Sequence, residues 1–409
     1  MRYLKARRRA CGMSQKQSMD VELGDLLHAS SRSALPPAHG SAPPPPRAAA
    51  GATSTTTTTT TNRHPPSPPP SAAGYTVHRG AVGAGSFGQV YRATRRADGA
   101  DVALKRMGYS ECEAGGVAAA LLRESAVLRL LGGVSGCIEL LEVLRDESSP
   151  PSGRARRALL VFPFYDFDLA TLLRLHASQF EGGHVRSFVH QLASALAYSH
   201  SRGVMHRDVK SDNVLVGRDL QLKLADWGQA AIGVGGVAAS DGGEAESPPA
   251  RRSGGATSMW YRAPEILFGS RHYDEKVDVW SMGCVVAELL RTQGRAVSEQ
   301  RTPGRAVMRG RDVEEQGRIA IGVCGAPAAD SPLRALPGCP APSESGKRRP
   351  HAAATVAAQL DVVGVDADAE RLLEMCVTLE PCARATAVAV RDSPFCAAAP
   401  LLATLPRFR

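Results

Sequence analysis

The chain has 409 residues, 43% hydrophobic and 22% charged, enough for one large or two medium domains with a buried core, which excludes a wholly disordered protein. Its 49 Lys and Arg against 40 Asp and Glu leave a net charge of +9, a surplus that by itself points to nucleic acid or a membrane surface. Nine scattered cysteines with no Cys-x-x-Cys pair indicate neither a disulfide framework nor a zinc site, and no apolar run reaches the roughly 18 residues of a membrane helix.

Residues 1–74 differ from the rest. They carry Pro43 to Pro46, a threonine run at 55–61, and Pro65, Pro66, Pro68, Pro69 and Pro70. Such composition buries too little apolar surface to offset the entropy of ordering, so a disordered tail is expected. The tail holds nine basic and three acidic residues, so +6 of the total +9 lies there. The remaining charge is nearly balanced, which argues against nucleic acid as a partner of the folded part, and no membrane partner is expected. Without a signal-peptide pattern after the basic start, a soluble protein of the nucleus, the cytoplasm or both is expected. Lys5-Ala6-Arg7-Arg8-Arg9 reads as a nuclear import signal or as a solvated basic tail, and with no acidic residue before Asp20 an organellar transit peptide also fits.

From Tyr75 the pattern predicts strands over 75–80, 89–95 and 101–107, the last two joined by a turn at Asp98-Gly99. Leu121, Leu122, Leu128 and Leu131 predict a helix over 117–131; Val185, Phe188, Val189, Leu192 and Leu196 predict a longer one. Strands Val214-Leu215-Val216 and 222–225 follow, and the Gly-, Ala-, Ser- or Pro-rich stretches 228–256 and 327–358 read as loops. A small strand-rich part thus precedes a larger helical part.

Gly83-Ala84-Gly85-Ser86-Phe87-Gly88 lies between the first two strands, where Cβ-free backbone can approach phosphate oxygens. It is an ordinary hairpin or a phosphate loop; a dinucleotide fold would open a helix there, whereas Gln89-Val90-Tyr91-Arg92 continues as strand. Val102-Ala103-Leu104-Lys105 puts a lysine at the end of an apolar strand, and Arg123-Glu124 on the next helix offers it a carboxylate. His206-Arg207-Asp208-Val209-Lys210-Ser211-Asp212-Asn213 forms a loop held between rigid elements, and Asp226-Trp227-Gly228 follows a strand. Asn213 and Asp226 supply hard oxygen donors suited to Mg²⁺, and Asp208 can take a hydroxyl proton.

With these motifs in this order, the chain resembles the eukaryotic protein kinases over residues 75–395. The likeness continues through Ala263-Pro264-Glu265, Asp278-Val279-Trp280-Ser281-Met282-Gly283, and Leu379-Glu380-Pro381 with Arg384. It implies an α+β bilobal fold: an N-terminal lobe at 75–165, with a small β-sheet and one helix, and a mainly helical C-terminal lobe at 166–396. It also implies ATP and Mg²⁺ as cofactors. Lys105 is then expected on the α- and β-phosphates, held by Glu124, with Asp208 as proton acceptor, Lys210 on the γ-phosphate, and Asn213 and Asp226 on the metal. The glycine loop, Gly83 to Gly88 with Gln89, covers the phosphates. Adenine is expected between Val82, Val90 and Ala103 above and Leu215 below, with Phe162 as gatekeeper, the backbone of Pro163 and Tyr165 at the hinge, and Asp168 just beyond. The resemblance further pairs Glu265 with Arg384 and sets Asp278 beneath the catalytic loop.

Lys210 in the loop matches the serine/threonine pattern, and Trp260-Tyr261-Arg262 resembles the proline-directed group, most closely the cyclin-dependent kinases. This implies Ser/Thr-Pro protein substrates and a cyclin-like activating subunit. Ser253 occupies the slot of the activating phosphate, which would recruit Arg207 and Arg123. Three features depart from that pattern: Ala231 stands where an arginine is expected, Ser258 where a threonine is expected, and Trp227 occurs in casein-kinase-2-like enzymes instead. A different class of reading remains: a catalytically silent kinase-fold scaffold whose Pro-rich tail docks on peptide-binding modules.

Overall fold

The computed structural model describes residues 70–85, 88–110, 119–134, 136–148, 155–233, 256–293, 306–340 and 355–397. The expected tail over 1–69, Ser86 and Phe87 of the glycine loop, Ser253 and the C-terminal residues 398–409 lie outside them. The first three strands form where the apolar pattern places them, as β1 (Tyr75–Gly85), β2 (Gly88–Arg95) and β3 (Asp101–Ser110). Each extends beyond its pattern, because antiparallel pairing carries the β1–β2 ladder out to Gly85 opposite Gly88. With β4 (Glu142–Arg145) and β5 (Ala155–Pro163) they make an antiparallel sheet in the order β1-β2-β3-β5-β4.

The two-residue period of a strand splits β5 between two cores. Leu159 and Val161 pack with Tyr75, Tyr91, Val102 and Leu104 on one face, whereas Leu160 and Phe162 join the main core on the other. Helix α1 (Ala119–Leu131) covers that second face with Leu121, Val127, Leu128 and Leu131. Contacts begin before Tyr75. Pro70 and Ala72 are buried, and the Ser71 N–H donates to Asp146 Oδ1 at 3.1 Å, so a short stretch of the expected tail belongs to the folded part.

The larger lobe follows through β6 (Phe167–Asp168), α2 (Leu169–His176) and α3 (Gly182–Ser201). Next come β7 (Val204–Met205), β8 (Val214–Val216), β9 (Leu222–Leu224) and β10 (Ala231–Ile232). The short helices α4 (Ala256–Met259) and α5 (Pro264–Leu267) lead into α6 (Lys276–Leu290), an interior helix buried from Val277 to Leu290 and apolar apart from Asp278, Ser281 and Glu288. At Gly283 a Cβ would come within 2.7 Å of the Cys376 Cβ, a measure of how closely α6 lies against α9 (Ala367–Cys376). The remaining helices are α7 (Val313–Cys324), α8 (Val356–Gln359), α10 (Ala387–Arg391) and α11 (Pro394–Ala397).

Both stretches expected as loops contain structure at their described ends. In the first, a 3₁₀ turn at Trp227–Gln229 precedes β10, which pairs with β7. In the second, Ser331 caps a 3₁₀ turn at Pro332–Ala335, and Thr355 caps α8 by accepting the Ala358 N–H. Composition misleads there because one capping hydroxyl and a proline at the first turn suffice to start a helix in Ala- and Pro-rich sequence.

Candidate active site

Lys105 leaves β3 on the face opposite Leu104 and reaches the cleft between the lobes, where Glu124 arrives from α1. Its ammonium donates to Glu124 Oε1 at 2.7 Å and Oε2 at 2.9 Å, and to Asp226 Oδ1 at 2.7 Å. Burial disfavours the charge on Lys105, but the Glu124 and Asp226 carboxylates outweigh it and hold the amine above its ordinary pKa. Burial likewise pushes Asp226 upward, and the Lys105 ammonium overcomes it, so the Asp226 carboxyl lies below its usual range. The helix is already swung in, with its ion pair formed.

The glycine loop is framed by the β1–β2 hairpin. Gly88 has a specific packing reason: a Cβ there would stand 1.8 Å from the Arg106 carbonyl oxygen on β3. Val90 pairs with Lys105 across β2 and β3, and Ala103 pairs with Phe162 across β3 and β5, so four of the expected nucleotide residues sit on adjoining strands. Phe162 is buried, Ala103 and Leu215 are half-buried, and Val82 is exposed. The Phe164 N–H donates to the Asp101 carbonyl at 3.3 Å, which pins the hinge between Pro163 and Tyr165 to β3. Asp168 is more committed than its sequence position suggests. It caps α2, accepting the Thr171 N–H at 2.6 Å and the Thr171 hydroxyl at 3.0 Å.

The loop carrying Asp208 is fixed from beneath. Asp278, fully buried on α6, accepts the His206 N–H at 2.8 Å and the Arg207 N–H at 2.7 Å, and meets His200 Nε2 at 2.9 Å. Burial raises its carboxyl, yet His200 and the His206 contacts more than offset it, so Asp278 stays an anion. Burial holds the His206 imidazole neutral. Its Nε2 faces the Ala225 carbonyl, which only accepts, and its Nδ1 accepts the Asp208 N–H; one tautomer satisfies both. Arg207 and Asp226 both adopt left-handed backbone, at φ 64° and φ 62°, a strained conformation that these bonds over-determine.

Around Asp208 the acceptors and donors converge. Lys210 Nζ lies 2.9 Å from Asp208 Oδ2 and 2.9 Å from Ser258 Oγ, so Ser258 supplies the hydroxyl that the expected threonine would. Asn213 Nδ2 donates to the Asp208 carbonyl and to Asp208 Oδ2 at 3.1 Å. These bonds turn the Asn213 amide so that its donor is spent on Asp208 while its oxygen takes no part in them, and only Oδ1 of Asp226 is taken by Lys105. The donor set left over consists of hard oxygens and fits Mg²⁺. Arg262 and Asp208 line one cavity together with Ser258, Tyr261, Tyr273 and Ser281.

Several partnerships were not legible in the sequence. Arg207 donates to the carbonyls of Gln229 and Ala230 and to the Tyr273 hydroxyl, so its guanidinium already holds the start of the segment after Asp226. Arg123 reaches the Gly228 carbonyl at 3.4 Å. Trp227 is buried, donates to the Leu224 carbonyl and meets the His206 ring edge-on at 4.5 Å. Farther away, Arg384 forms a two-pronged buried pair with Glu265 at 2.8 and 3.0 Å, as expected.

The protein kinase domain family matches residues 76–396. Among characterised proteins, human cyclin-dependent kinase 9 is 36% identical over 208 residues, covering 51% of this chain and 53% of that protein. The bovine protein of the same name gives the same figures, and cyclin-dependent kinase 9-B of Xenopus laevis is 35% identical over 212 residues. The chain spans about half the length of the curated relatives it matches. With a five-stranded lobe set against a helical one and the family match running across both, the chain belongs to the protein kinase family.

Proposed function

We propose that the chain is a serine/threonine protein kinase that transfers the γ-phosphate of MgATP to protein hydroxyls followed by proline, and that a cyclin-like subunit regulates it. The observation that carries this reading is the assembled constellation: Lys105 bridging Glu124 and Asp226, with Asp208, Lys210 and Asn213 bonded to one another beside it. Asp226 and Asn213 would hold Mg²⁺, whose charge neutralises the phosphates. Lys105 orients the α- and β-phosphates, since it is charged, buried and aimed by two carboxylates. Asp208 accepts the substrate hydroxyl proton at Oδ1, the oxygen that Lys210 and Asn213 do not engage. Lys210 then faces the charge that develops on the transferred group. Preorganised charge rather than a covalent enzyme intermediate does the work, so the substrate hydroxyl is the nucleophile and the protein need supply none.

The proline preference rests on Arg262, which lines the cavity beside Asp208; the cyclin-like partner rests on the likeness to proteins named cyclin-dependent kinase 9. The silent-scaffold reading has no observation in its favour. Incubation of the full chain with MgATP and matched Ser-Pro and Ser-Ala peptides, with and without candidate cyclins, tests the proposal. Transfer to the Ser-Pro peptide that disappears in Asp208→Asn is expected. Equal incorporation in the two proteins would overturn the catalytic reading, and equal use of both peptides would overturn the proline preference.

A further inference from the structure

A group of polar contacts that this mechanism leaves unused lies on the outer face of the small-lobe sheet, the face of β3 opposite Lys105. Asp146, fully buried just beyond β4, forms an ion pair through Oδ2 with Arg106 Nε of β3 at 2.8 Å, and Arg106 itself is 5% exposed. The other oxygen, Oδ1, gathers three donors: the Ser148 N–H at 3.0 Å, the Ser148 hydroxyl at 2.7 Å, and the Ser71 N–H at 3.1 Å, which comes from the segment ahead of β1. The Glu147 N–H donates back to the Ser71 carbonyl at 2.8 Å, and Ala72 enters the outer core beside Tyr75 and Tyr91. Four residues after Ser71, the Tyr75 hydroxyl of β1 donates to Glu142 of β4 at 3.0 Å. Because β1 and β4 are the two edges of the sheet, residues 71–75 strap one edge to the other.

The same guanidinium also faces the glycine loop. Gln89 lies directly across from Arg106 in the β2–β3 ladder, and two-residue alternation puts Gln89, Tyr91 and Arg106 on one face. Arg106 lies over the Tyr91 ring at 5.3 Å, and the Tyr91 hydroxyl donates to Gln89 Oε1 at 2.7 Å. The main chain adds a second link, since the Arg106 carbonyl backs Gly88 so closely that no Cβ fits between them. We propose that Arg106, Tyr91 and Gln89 are positioning residues for the nucleotide phosphates, through which the strap at 71–75, anchored on Asp146, holds the end of the glycine loop against β3. This rests on the kinase reading given above. Gln89, expected among the residues that cover the phosphates, spends its side chain on Tyr91 on the far face and therefore acts on the loop. A glycine-rich loop loses much conformational freedom when it closes over phosphates, and a return strand that is already fixed lowers that cost. The adenine contacts expected at Ala103, Phe162 and the hinge lie on β3 and β5 and do not depend on the loop.

The test uses the full chain and compares calorimetric binding of MgATP with that of adenosine, which lacks the phosphates. Tyr91→Phe removes only the hydroxyl and should raise the MgATP Kd about fivefold, the worth of one hydrogen bond, while the adenosine Kd stays at the wild-type value. Ala72→Asp puts a carboxylate where the outer core holds a buried methyl, so it should lift the strap and give the same split. The double variant should lose no more than either alone, because both changes interrupt one chain of contacts. Unchanged MgATP affinity in Tyr91→Phe, equal losses for adenosine and MgATP, or additive effects in the double variant would overturn the proposal. Should the wild type bind no MgATP, the kinase reading fails, and the strap is read separately from amide hydrogen exchange over residues 88–91. Faster exchange there in Ala72→Asp than in wild type supports the strap; an identical rate overturns it.

Discussion

Lys105 Nζ and Asp226 Oδ1 lie 2.7 Å apart although 121 residues separate them in the chain. Glu124 completes the contact, so one ammonium bridges two carboxylates, one of them fully buried, and leaves a net negative charge. Lys105→Met is expected to leave that negative pair unbalanced and to cost about 3–5 kcal/mol of stability, as loss of one member of a buried pair does. Phosphoryl transfer should fall at least about 10²-fold. Denaturant titration and initial rates measure the two effects separately.

Asp208→Asn should leave the fold intact, because the amide keeps the shape and can still meet Asn213 and Lys210. Its transfer rate should drop about 10²- to 10⁴-fold, the range for loss of a general base. A melting temperature close to wild type together with lost activity is the expected pattern.

Glu265 and Arg384 are tied by two bonds at 2.8 and 3.0 Å, and both are essentially excluded from water. Glu265→Ala strands a buried guanidinium that also lies over the Trp280 ring at 5.2 Å. A loss of about 3–5 kcal/mol is expected. The double variant with Arg384→Met should recover part of it, which a double-mutant cycle in urea would measure.

Glu288 makes the stability of the protein depend on pH in a stated direction. Its folded-state pKa of about 7 lies above the ordinary 4.5, so the folded chain holds this proton more tightly than the unfolded chain. The advantage is complete below pH 4.5 and is lost as pH rises through 7, an effect of about 3 kcal/mol from this group alone. Unfolding free energies of wild type and Glu288→Gln, compared at pH 5 and pH 8, should converge at the acid end and diverge in favour of the variant at the alkaline end.

Gly88→Ala should destabilise the small lobe, since its Cβ would enter the Arg106 carbonyl oxygen at 1.8 Å and force β2 away from β3. Nucleotide affinity should fall with it, because Val90 and Lys105 pair across the same two strands. A thermal shift assay with and without MgATP reads both effects.

Much of this molecule follows from local order along the chain. Alternation of apolar residues and the turn at Asp98-Gly99 determined three strands, and 3.6-residue spacing determined α1 and α3, because these periods are properties of the backbone itself. The order of Lys105, Glu124, Asp208, Asn213 and Asp226 determined which chemistry to look for, because phosphate and metal need those residue types. The charge of +9 was also divided by sequence alone, two thirds of it lying before Tyr75.

Only the tertiary structure decided who bonds to whom. Asp168 became a helix cap, Arg207 was taken up by the Gln229 and Ala230 carbonyls and by Tyr273, and Ser258 supplied a hydroxyl to Lys210. Ser211 met Tyr261 beside the buried Glu288, 77 positions further along the chain. A hydrogen bond depends on a few tenths of an ångström and on direction, and burial sets whether a carboxyl stays charged. Both quantities arise only when distant segments pack together, so residue type and spacing announce the site while packing fixes its partners and its protons.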